Sequence, residues 1–465
     1  MQSVSLALPV TDLFLDGYGS DALRLDLGPD SNHDFSRPFY IYRNQEAFLA
    51  SAFRNSNVYK GRGVKISDQT DHSMLVYPLP EKSCLILENA GHDSEGKDSY
   101  RTGSFDYDFN HEQEHVMFGI ERSGLVAGGG LSAEEHLRDD YSLGFGFVKK
   151  GLTLEKFKSC CSNSVSTENL YGTDNILLDN SELDLREGLR AGIKASKFAF
   201  GTERMRQSVY PADVFSLSGT YSAPFYFDRK KVDYSAEFQL DHNYRLEFLH
   251  GTEKIQSKLE FYHTGYFGWL GMPEARHDYR GLGIKRELAK KSWKFSGLNG
   301  KFLGNGRGRI DSWPFSSVND YFHSAGIVFY DFKVGIQRLN LGFSREFSRK
   351  LNLDAGIQHL NLKPSGDLRT FYSTLFGFFR IPLDDYSLKY SLIQVLIPSA
   401  TMEYKIRRNC AFSLSMAQYL PYRQVKIEEP EVPSQPQPQP GQVATHEKRK
   451  QQGGTVMELA VKYWF

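Results

Sequence analysis

Apolar and polar residues alternate along most of this 465-residue chain, and this period of two limits its fold more than any other feature. Between residues 141 and 147, for example, Tyr, Leu and Phe hold the odd positions while Ser and Gly hold the even ones. The same pattern returns at residues 105–109, 183–193, 215–227, 234–240, 339–343, 351–357, 388–392 and 412–416. Because successive side chains of a β-strand point to opposite faces, the pattern predicts many strands with one apolar and one polar face.

The composition excludes several broad classes of protein. The chain contains 34 Phe, 26 Tyr and 41 Gly, yet its mean hydropathy is −0.46. A spanning helix needs about 20 mostly apolar residues, whereas a charge-free run such as 409–422 has only 14 and includes Ser, Gln and Pro. The 56 basic side chains balance 56 acidic ones, which argues against a nucleic-acid partner. Aromatic, glycine-rich strands that are apolar on one face only are typical of a membrane β-barrel.

The clearest strand of the sequence is at the C-terminus. One face would carry Met457, Leu459, Val461, Tyr463 and Phe465, and the other would carry Glu458, Ala460 and Lys462. A final strand that is apolar at alternate positions and ends in Phe resembles the assembly signal of bacterial outer-membrane β-barrels, here with Tyr463 and Phe465 as its last apolar positions. The resemblance covers only about the last ten residues. It implies a location in the outer membrane of a Gram-negative cell, and contacts with outer-membrane lipid and the barrel-assembly machinery.

We therefore predict an all-β fold, a transmembrane antiparallel barrel of about 16 strands, with a range of about 14 to 18. About 20 residues for each strand and its connection give this number, and an even count is expected. A soluble β-sandwich is the main alternative for any single strand. The repetition of the pattern along the chain, the aromatic content and the terminal Phe together favour the barrel.

The ends of the pattern predict the domain organisation. Residues 1–70 alternate poorly, which predicts an irregular N-terminal arm or plug before a barrel in residues 71–465, with a hairpin in 73–88. Residues 425–453 are rich in Pro and Gln, which predicts a mobile extracellular loop. Residues 159–178 and 304–319 are further predicted loops, and the four charged residues 228–231 predict a turn. The first residues lack the basic and apolar stretches of a secretion signal, and we take that signal to have been removed.

A barrel of this size encloses a lumen, and the polar strand faces predict what lines it. The strand 184–194 would present Arg186, Arg190 and Lys194 to the lumen, with Glu237 and Asp241 supplying the opposite charge. The basic strip is a candidate anion-attracting wall, and an ordinary solvated strand face is the alternative interpretation.

These observations predict a porin-like channel that passes polar or charged solutes through a water-filled lumen. The alternative is a structural sleeve that holds a periplasmic or lumenal protein partner, such as a multihaem cytochrome of an electron conduit or a polymer-export complex. The chain has no C-x-x-C-H haem-attachment motif, so no cofactor of its own is predicted.

Two short motifs raise enzymatic hypotheses. Residues His111 to His115 match H-E-x-x-H, in which a helix would hold zinc through both His residues, with Glu135 as a third ligand. The alternation on both sides of the motif instead predicts a hairpin with a polar turn there, so a zinc-dependent hydrolase is the weaker hypothesis and no catalytic residue is assigned. His92-Asp93-Ser94 is similar to the His-x-Ser pair of outer-membrane phospholipases and lipid-A deacylases, but its polar surroundings predict a turn.

The four cysteines leave their pairing open. Cys84, Cys160, Cys161 and Cys410 would fold in an oxidising compartment if the chain is exported. The adjacent pair Cys160-Cys161 is predicted to lie in a loop, where it would bond locally or to a partner.

Overall fold

The computed structural model describes residues 47–60, 64–80, 83–100, 103–132, 141–149, 151–171, 174–211, 221–222, 225–241, 243–263, 266–312, 325–374, 379–389, 393–423 and 454–465. The strands of this part of the chain are β1 (Phe48–Lys60), β2 (Val64–Leu79), β3 (Ser83–Tyr100), β4 (Gly103–Arg122), β5 (Leu125–Ser132), β6 (Tyr141–Lys149), β7 (Leu152–Tyr171), β8 (Asp174–Lys194), β9 (Phe198–Pro211), β10 (Tyr221–Ser222), β11 (Phe225–Gln239), β12 (Tyr244–His263), β13 (Tyr266–Leu288), β14 (Lys291–Ser312), β15 (Ala325–Ser348), β16 (Leu351–Thr374), β17 (Phe379–Lys389), β18 (Ile393–Arg407), β19 (Cys410–Gln418), β20 (Leu420–Arg423) and β21 (Thr455–Trp464). Within these same residues no helix has the length and apolar character that crossing a membrane requires.

The strands form one closed antiparallel barrel. Neighbouring strands pair along the chain except at the short segments β10, β17 and β20, and β1 pairs with β21 from Phe48 opposite Trp464 to Asn57 opposite Thr455, which closes the ring. The ring has 18 strands, because β10, β17 and β20 prolong the neighbouring segments β11, β18 and β19 against the same partners. The predicted all-β barrel is confirmed, and its strand number lies at the upper end of the predicted range.

The two ends of the barrel differ in their connections. One end, here called the base, carries tight turns such as Ser123-Gly124, 289–290, 349–350 and 408–409. Ser123 and Gly124 both have positive φ, 55° and 91°, as a two-residue hairpin turn between twisted strands requires. At the opposite end, the upper rim, up to 31 residues separate consecutive strands, as between β20 and β21.

Strand β15 shows how the faces are arranged near the base. Leu339, Leu341 and Phe343 point outward and are exposed, whereas Arg338 and Asn340 point inward and are buried. This arrangement puts apolar side chains on the outer surface and polar side chains on the lumen side. It is the arrangement that a membrane barrel presents to lipid and water.

Higher on the same strand the two faces exchange character. Lys333 and Gln337 are now the exposed outward residues, while Ile336 is buried inward and Phe332 and Val334 share its face. On β16 the outward face likewise changes from exposed Ile357 to exposed polar residues higher up. The inward apolar residues of the upper half form two buried clusters, one of Val209, Phe227, Ile255, Met272 and Ala275, the other of Ile397, Ala417 and Val456. At this level of β15 and β16 the exterior is therefore more polar, and the interior more apolar, than near the base.

Several predicted boundaries change. The barrel begins at Phe48, not at residue 71, because β1 and the start of β2 belong to the ring. The predicted arm is thereby confined to residues 1–46, which lie outside the described residues, as does the predicted loop 425–453. The hairpin expected within 73–88 is formed by β2 and β3.

Several predicted loops or turns are wrong where the structure describes them. Residues 159–171 and 174–178 are paired parts of β7 and β8, so Cys160 and Cys161 lie in a strand. The segment 304–312 belongs to β14, while 313–319 lies outside the described residues. Residues 228–231, read as a turn from their four charges, run straight through β11. Charge misled the prediction there because both faces of β11 are polar at the level where the faces exchange character.

Candidate functional site

The candidate site is the inward wall of the barrel, and its most polar part is here called the charged sector, made by the inward side chains of β7 to β14. Arg190 is shared by two carboxylates from neighbouring strands. Its Nη2 donates to Oε1 of Glu203 at 2.8 Å, and its Nη1 lies 3.5 Å from Oε2 of Glu155. The register places all three residues on one face, since Arg190 is opposite Glu155 on β7 and Glu203 on β9.

Higher in the charged sector, Glu253 is more deeply buried than any other charged residue that the structure describes, with 1% of its surface exposed. The Arg229 guanidinium donates a hydrogen bond to Oε1 of Glu253 from one side. From the other side, Nδ1 of His277 lies 3.3 Å from Oε2 of the same carboxylate. A buried carboxylate needs such partners, because an uncompensated charge away from water is costly.

A second carboxylate one strand away organises a similar group. Asp233 accepts a hydrogen bond from the Tyr279 hydroxyl, and its Oδ2 lies 3.0 Å from Nζ of Lys231. The Tyr279 ring reaches across β12 because the intervening inward residue is Gly251, where an added Cβ would overlap the ring. The absence of a side chain at this one position thus lets two strands be joined by a hydrogen bond.

Closer to the base, two further ion pairs continue the sector. Nε of Arg245 lies 3.0 Å from Oε1 of Glu237, and Nζ of Lys294 lies 3.1 Å from Oε2 of Glu247. Each cation named in the charged sector therefore has a carboxylate within salt-bridge distance. The wall presents both signs of charge side by side and is close to neutral along its length.

The predicted lumen residues fall into two groups. Arg190 and Glu237 point inward and take part in the ion pairs, and Arg186 shares the inward face of β8 with Arg190. Lys194 is exposed at the base end of β8. Asp241 is not part of the wall. Its Oδ1 accepts hydrogen bonds from the backbone N–H groups of Asn243 and Tyr244 at 2.7 and 2.9 Å, which stabilises the base turn between β11 and β12.

Sequence reasoning missed the most buried members of the sector. The four residues 228–231 are all charged, so they show no alternation of apolar and polar residues, and their charge alone indicates a turn. A strand signal was present on β13, where His277 and Tyr279 alternate with Arg276 and Asp278.

The inward wall has a second, unlike part near the base, here called the apolar sector and made by β1 to β7. Its buried inward side chains include Phe48, Met74, Val76, Cys84, Ile86, Val126 and Phe157, all at most 4% exposed. Glycine occupies inward positions of the β5–β6 hairpin at 128, 130, 144 and 146. The two sectors meet at Phe157, whose ring lies over Gly188 and 5.9 Å from the Arg190 guanidinium.

The structure places both enzymatic motifs in β-strands. Residues His111 to His115 lie within β4, not in a helix or a turn. Residues four apart in a strand are separated by about 13 Å, whereas two zinc-bound His nitrogens each lie about 2.1 Å from the metal. The segment therefore lacks the helix on which zinc binding by this motif depends. The predicted third ligand, Glu135, lies outside the described residues.

The polar surroundings of the His-x-Ser segment predict a turn, and that prediction is wrong. Residues 92–94 lie in β3, with His92 opposite Thr70 on β2 and His111 on β4. Among the described residues no group of three His, Cys, Asp or Glu side chains is arranged to hold a metal ion.

No protein-family model matches the chain, and no curated protein matches it. Among solved structures, it is similar to the toluene transporter TodX of Pseudomonas putida, with a TM-score of 0.34 and 10% identity over 93% of each chain. A loop-deletion mutant of OmpT, an outer membrane protein of Vibrio cholerae, has the same TM-score and identity over 57% of this chain and 96% of its own. A porin refined at 1.8 Å resolution has a TM-score of 0.33 and 10% identity over 90% of this chain and 100% of its own. The assignment as a closed barrel rests on the chain's own strand pairing.

Proposed function

We propose that this protein is a bacterial outer-membrane channel that passes polar solutes along the charged sector of its lumen. The observation that carries the proposal is the base half of the ring, where apolar side chains face outward and ion-paired side chains face inward. Lipid suits the outer face, and a polar path suits the inner one. Short turns then lie in the periplasm and longer connections outside the cell, as in outer-membrane barrels generally.

The arrangement of charges indicates how solutes would be selected. Because Arg190 is held between Glu155 and Glu203, its charge is balanced locally and does not form an anion filter. A wall with donors and acceptors side by side offers hydrogen bonds to polar groups of either sign. We therefore expect weak ion selectivity and passage of small polar solutes.

Single-channel conductance in a planar bilayer tests the proposal directly. The protein should show steady openings, and Arg190→Gln should shift the permeability ratio toward cations by roughly twofold, because two carboxylates lose their shared cation. Arg204→Gln is the matched control, since Arg204 is an exposed arginine on the outward face of the neighbouring strand β9. A silent barrel would contradict the channel, and an equal shift in both variants would contradict the specific role of Arg190 in its selectivity.

A further inference from the structure

A row of basic residues crosses the outer surface of the barrel above its lipid-facing band. Four exposed residues of the row lie directly opposite one another on the neighbouring strands β9, β11, β12 and β13, namely Arg206, Lys230, Lys254 and Arg276. The row continues through Leu303 on β14 to the exposed Lys333 on β15. Like charges that face each other across paired strands destabilise a sheet. Anions bound along this row would therefore stabilise it.

Two further rows of outward residues lie between this row and the apolar band. In the three rows on β9 and β11 to β16, nine outward residues are basic, and among the described side chains only Asp278 is acidic. The nine are here called the basic collar, and all of them are exposed: Arg204, Arg206, Lys230, Lys254, Arg276, Arg280, Lys301, Lys333 and Lys363. The next row toward the upper rim carries four carboxylates, Asp228, Glu274, Asp331 and Asp367. The four rows together still have a net charge of +4.

The basic collar differs from the charged sector in the pairing of its cations. Arg206 and Lys230 share Asp228, at 3.0 and 3.3 Å, and Arg276 lies 2.8 Å from Asp278. None of the other six cations of the collar has a described carboxylate within salt-bridge distance. Cations of the lumen wall are neutralised by neighbouring strands, whereas most cations of the collar are available to a ligand.

The level of the collar limits what that ligand is. On β12, Lys254 lies six residues above the exposed, outward Phe248, and on β15, Lys333 lies six residues above Leu339. Six residues of a tilted strand rise about 15 Å. The polar layer on each side of a bilayer is only about 5–7 Å thick. The collar therefore extends beyond the phosphates of ordinary phospholipids, to a level that only a larger head group reaches.

We propose that the basic collar binds the phosphate groups of lipids with large, phosphate-bearing head groups in the leaflet that surrounds it. Lys and Arg are the usual partners of phosphate, and Arg can donate two parallel hydrogen bonds to it. Neighbouring strands place cations of one row about 4.8 Å apart, so that one phosphate can contact two of them. The short turns at the base make this the outer leaflet of the membrane. That placement uses the orientation given above and does not depend on the passage of solutes.

The test measures how the full chain selects lipids in phosphatidylcholine bilayers. Spin-labelled lipids report the fraction that is immobilised at the protein surface. The probe is phosphatidylinositol 4,5-bisphosphate, which carries phosphates above the glycerol level, and phosphatidylglycerol is the anionic lipid without them. We expect the bisphosphate to be preferred over phosphatidylcholine by about tenfold, and phosphatidylglycerol by less than about threefold, because each basic residue near the surface adds to the attraction.

Two triple variants locate the binding. Lys254→Gln/Lys301→Gln/Lys333→Gln removes three unpaired cations from the collar, and the preference should fall to about twofold. The matched control, Lys197→Gln/Lys290→Gln/Lys350→Gln, removes the same charge from exposed residues of the base turns and should keep the preference. Raising the salt concentration gives a measurement on the unmodified protein, which needs no variant to fold. The preference should fall there as well, because salt screens exposed charges.

The outcomes separate this inference from the channel. An equal loss in both variants would assign the preference to net charge, and no loss in the collar variant would assign it elsewhere, so either result overturns the inference. Equally tight binding of soluble inositol 1,4,5-trisphosphate would assign the collar to a soluble anion and would also overturn it. A barrel that conducts no ions, yet selects the bisphosphate through the collar, would contradict the channel and support the lipid site.

Discussion

The apolar sector and the charged sector belong to the same sheet and lie at similar distances from the same base turns, yet they are built on opposite principles. In the charged sector, inward residues satisfy one another across strands, as Arg190 does with Glu155 and Glu203. In the apolar sector, Val76 and Ile86 lie opposite one another and are buried by exclusion of water. A polar wall can face a solute path, whereas an apolar wall needs a permanent cover. The difference indicates that one barrel wall serves two purposes.

Introducing a carboxylate into each sector should give the largest difference in stability between them. Ile86→Asp puts a carboxylate at a position that is 0% exposed, and it should lower the free energy of unfolding by about 4 kcal/mol or more. Ser235→Asp adds the same group to the exposed inward face of the charged sector and should change it by less than about 0.5 kcal/mol. Urea unfolding in detergent micelles measures both. Equal losses would show that the two sectors do not differ in their exposure to water.

Removing one partner from a buried pair should have the next largest effect. Glu253→Gln leaves the Arg229 guanidinium without its counter-charge and should cost about 3 kcal/mol. The double variant Arg229→Met/Glu253→Gln should lose less than the sum of the single variants, with a coupling energy of about 1–3 kcal/mol. A double-mutant cycle by urea unfolding gives this value. Strict additivity would mean that the pair does not stabilise the wall as a unit.

The smallest effect is expected at Asp241, which the sequence pattern predicts on the lumen face. Asp241→Ala removes two hydrogen bonds to backbone N–H groups of an exposed turn and should cost about 1 kcal/mol. Its conductance and permeability ratio should equal those of the unmodified protein, in contrast to Arg190→Gln. A shift in the permeability ratio of Asp241→Ala would indicate that Asp241 does face the path of the solutes.

Part of the fold and of the site could be predicted from the sequence, because a β-strand with two unlike faces shows a local alternation of apolar and polar residues. The alternation in residues 183–193 predicted an outward apolar face, and Leu189 and Ile193 are indeed exposed while Arg190 points inward. The C-terminal strand likewise has Met457 and Val461 exposed and Ala460 buried. Turns were harder to predict. The four charged residues 228–231 indicate a turn, because the sequence does not show that this segment lies at a level of the barrel where both faces of β11 are polar.

The ion pairs of the charged sector depend on contacts that no local pattern contains. Arg229 and Glu253 are 24 residues apart, and they meet because β11 and β12 pair in a particular register. Likewise, Tyr279 and Asp233 are 46 residues apart and meet across Gly251. A shift of one residue in either pairing would turn every side chain of a strand to the other face.

The sequence by itself determined that this chain makes long strands with two unlike faces and a terminal strand apolar at alternate positions, because side-chain direction in a strand follows from the backbone alone. Only the tertiary structure decided which face is the inside. The same alternation puts Leu341 outward near the base and Ile336 inward in the upper half. The period of two is constant along β15, but the face that carries the apolar residues changes from the outside to the inside. The reason is that burial depends on what surrounds each level of the closed ring, and closure joins β1 to β21 from opposite ends of the described chain.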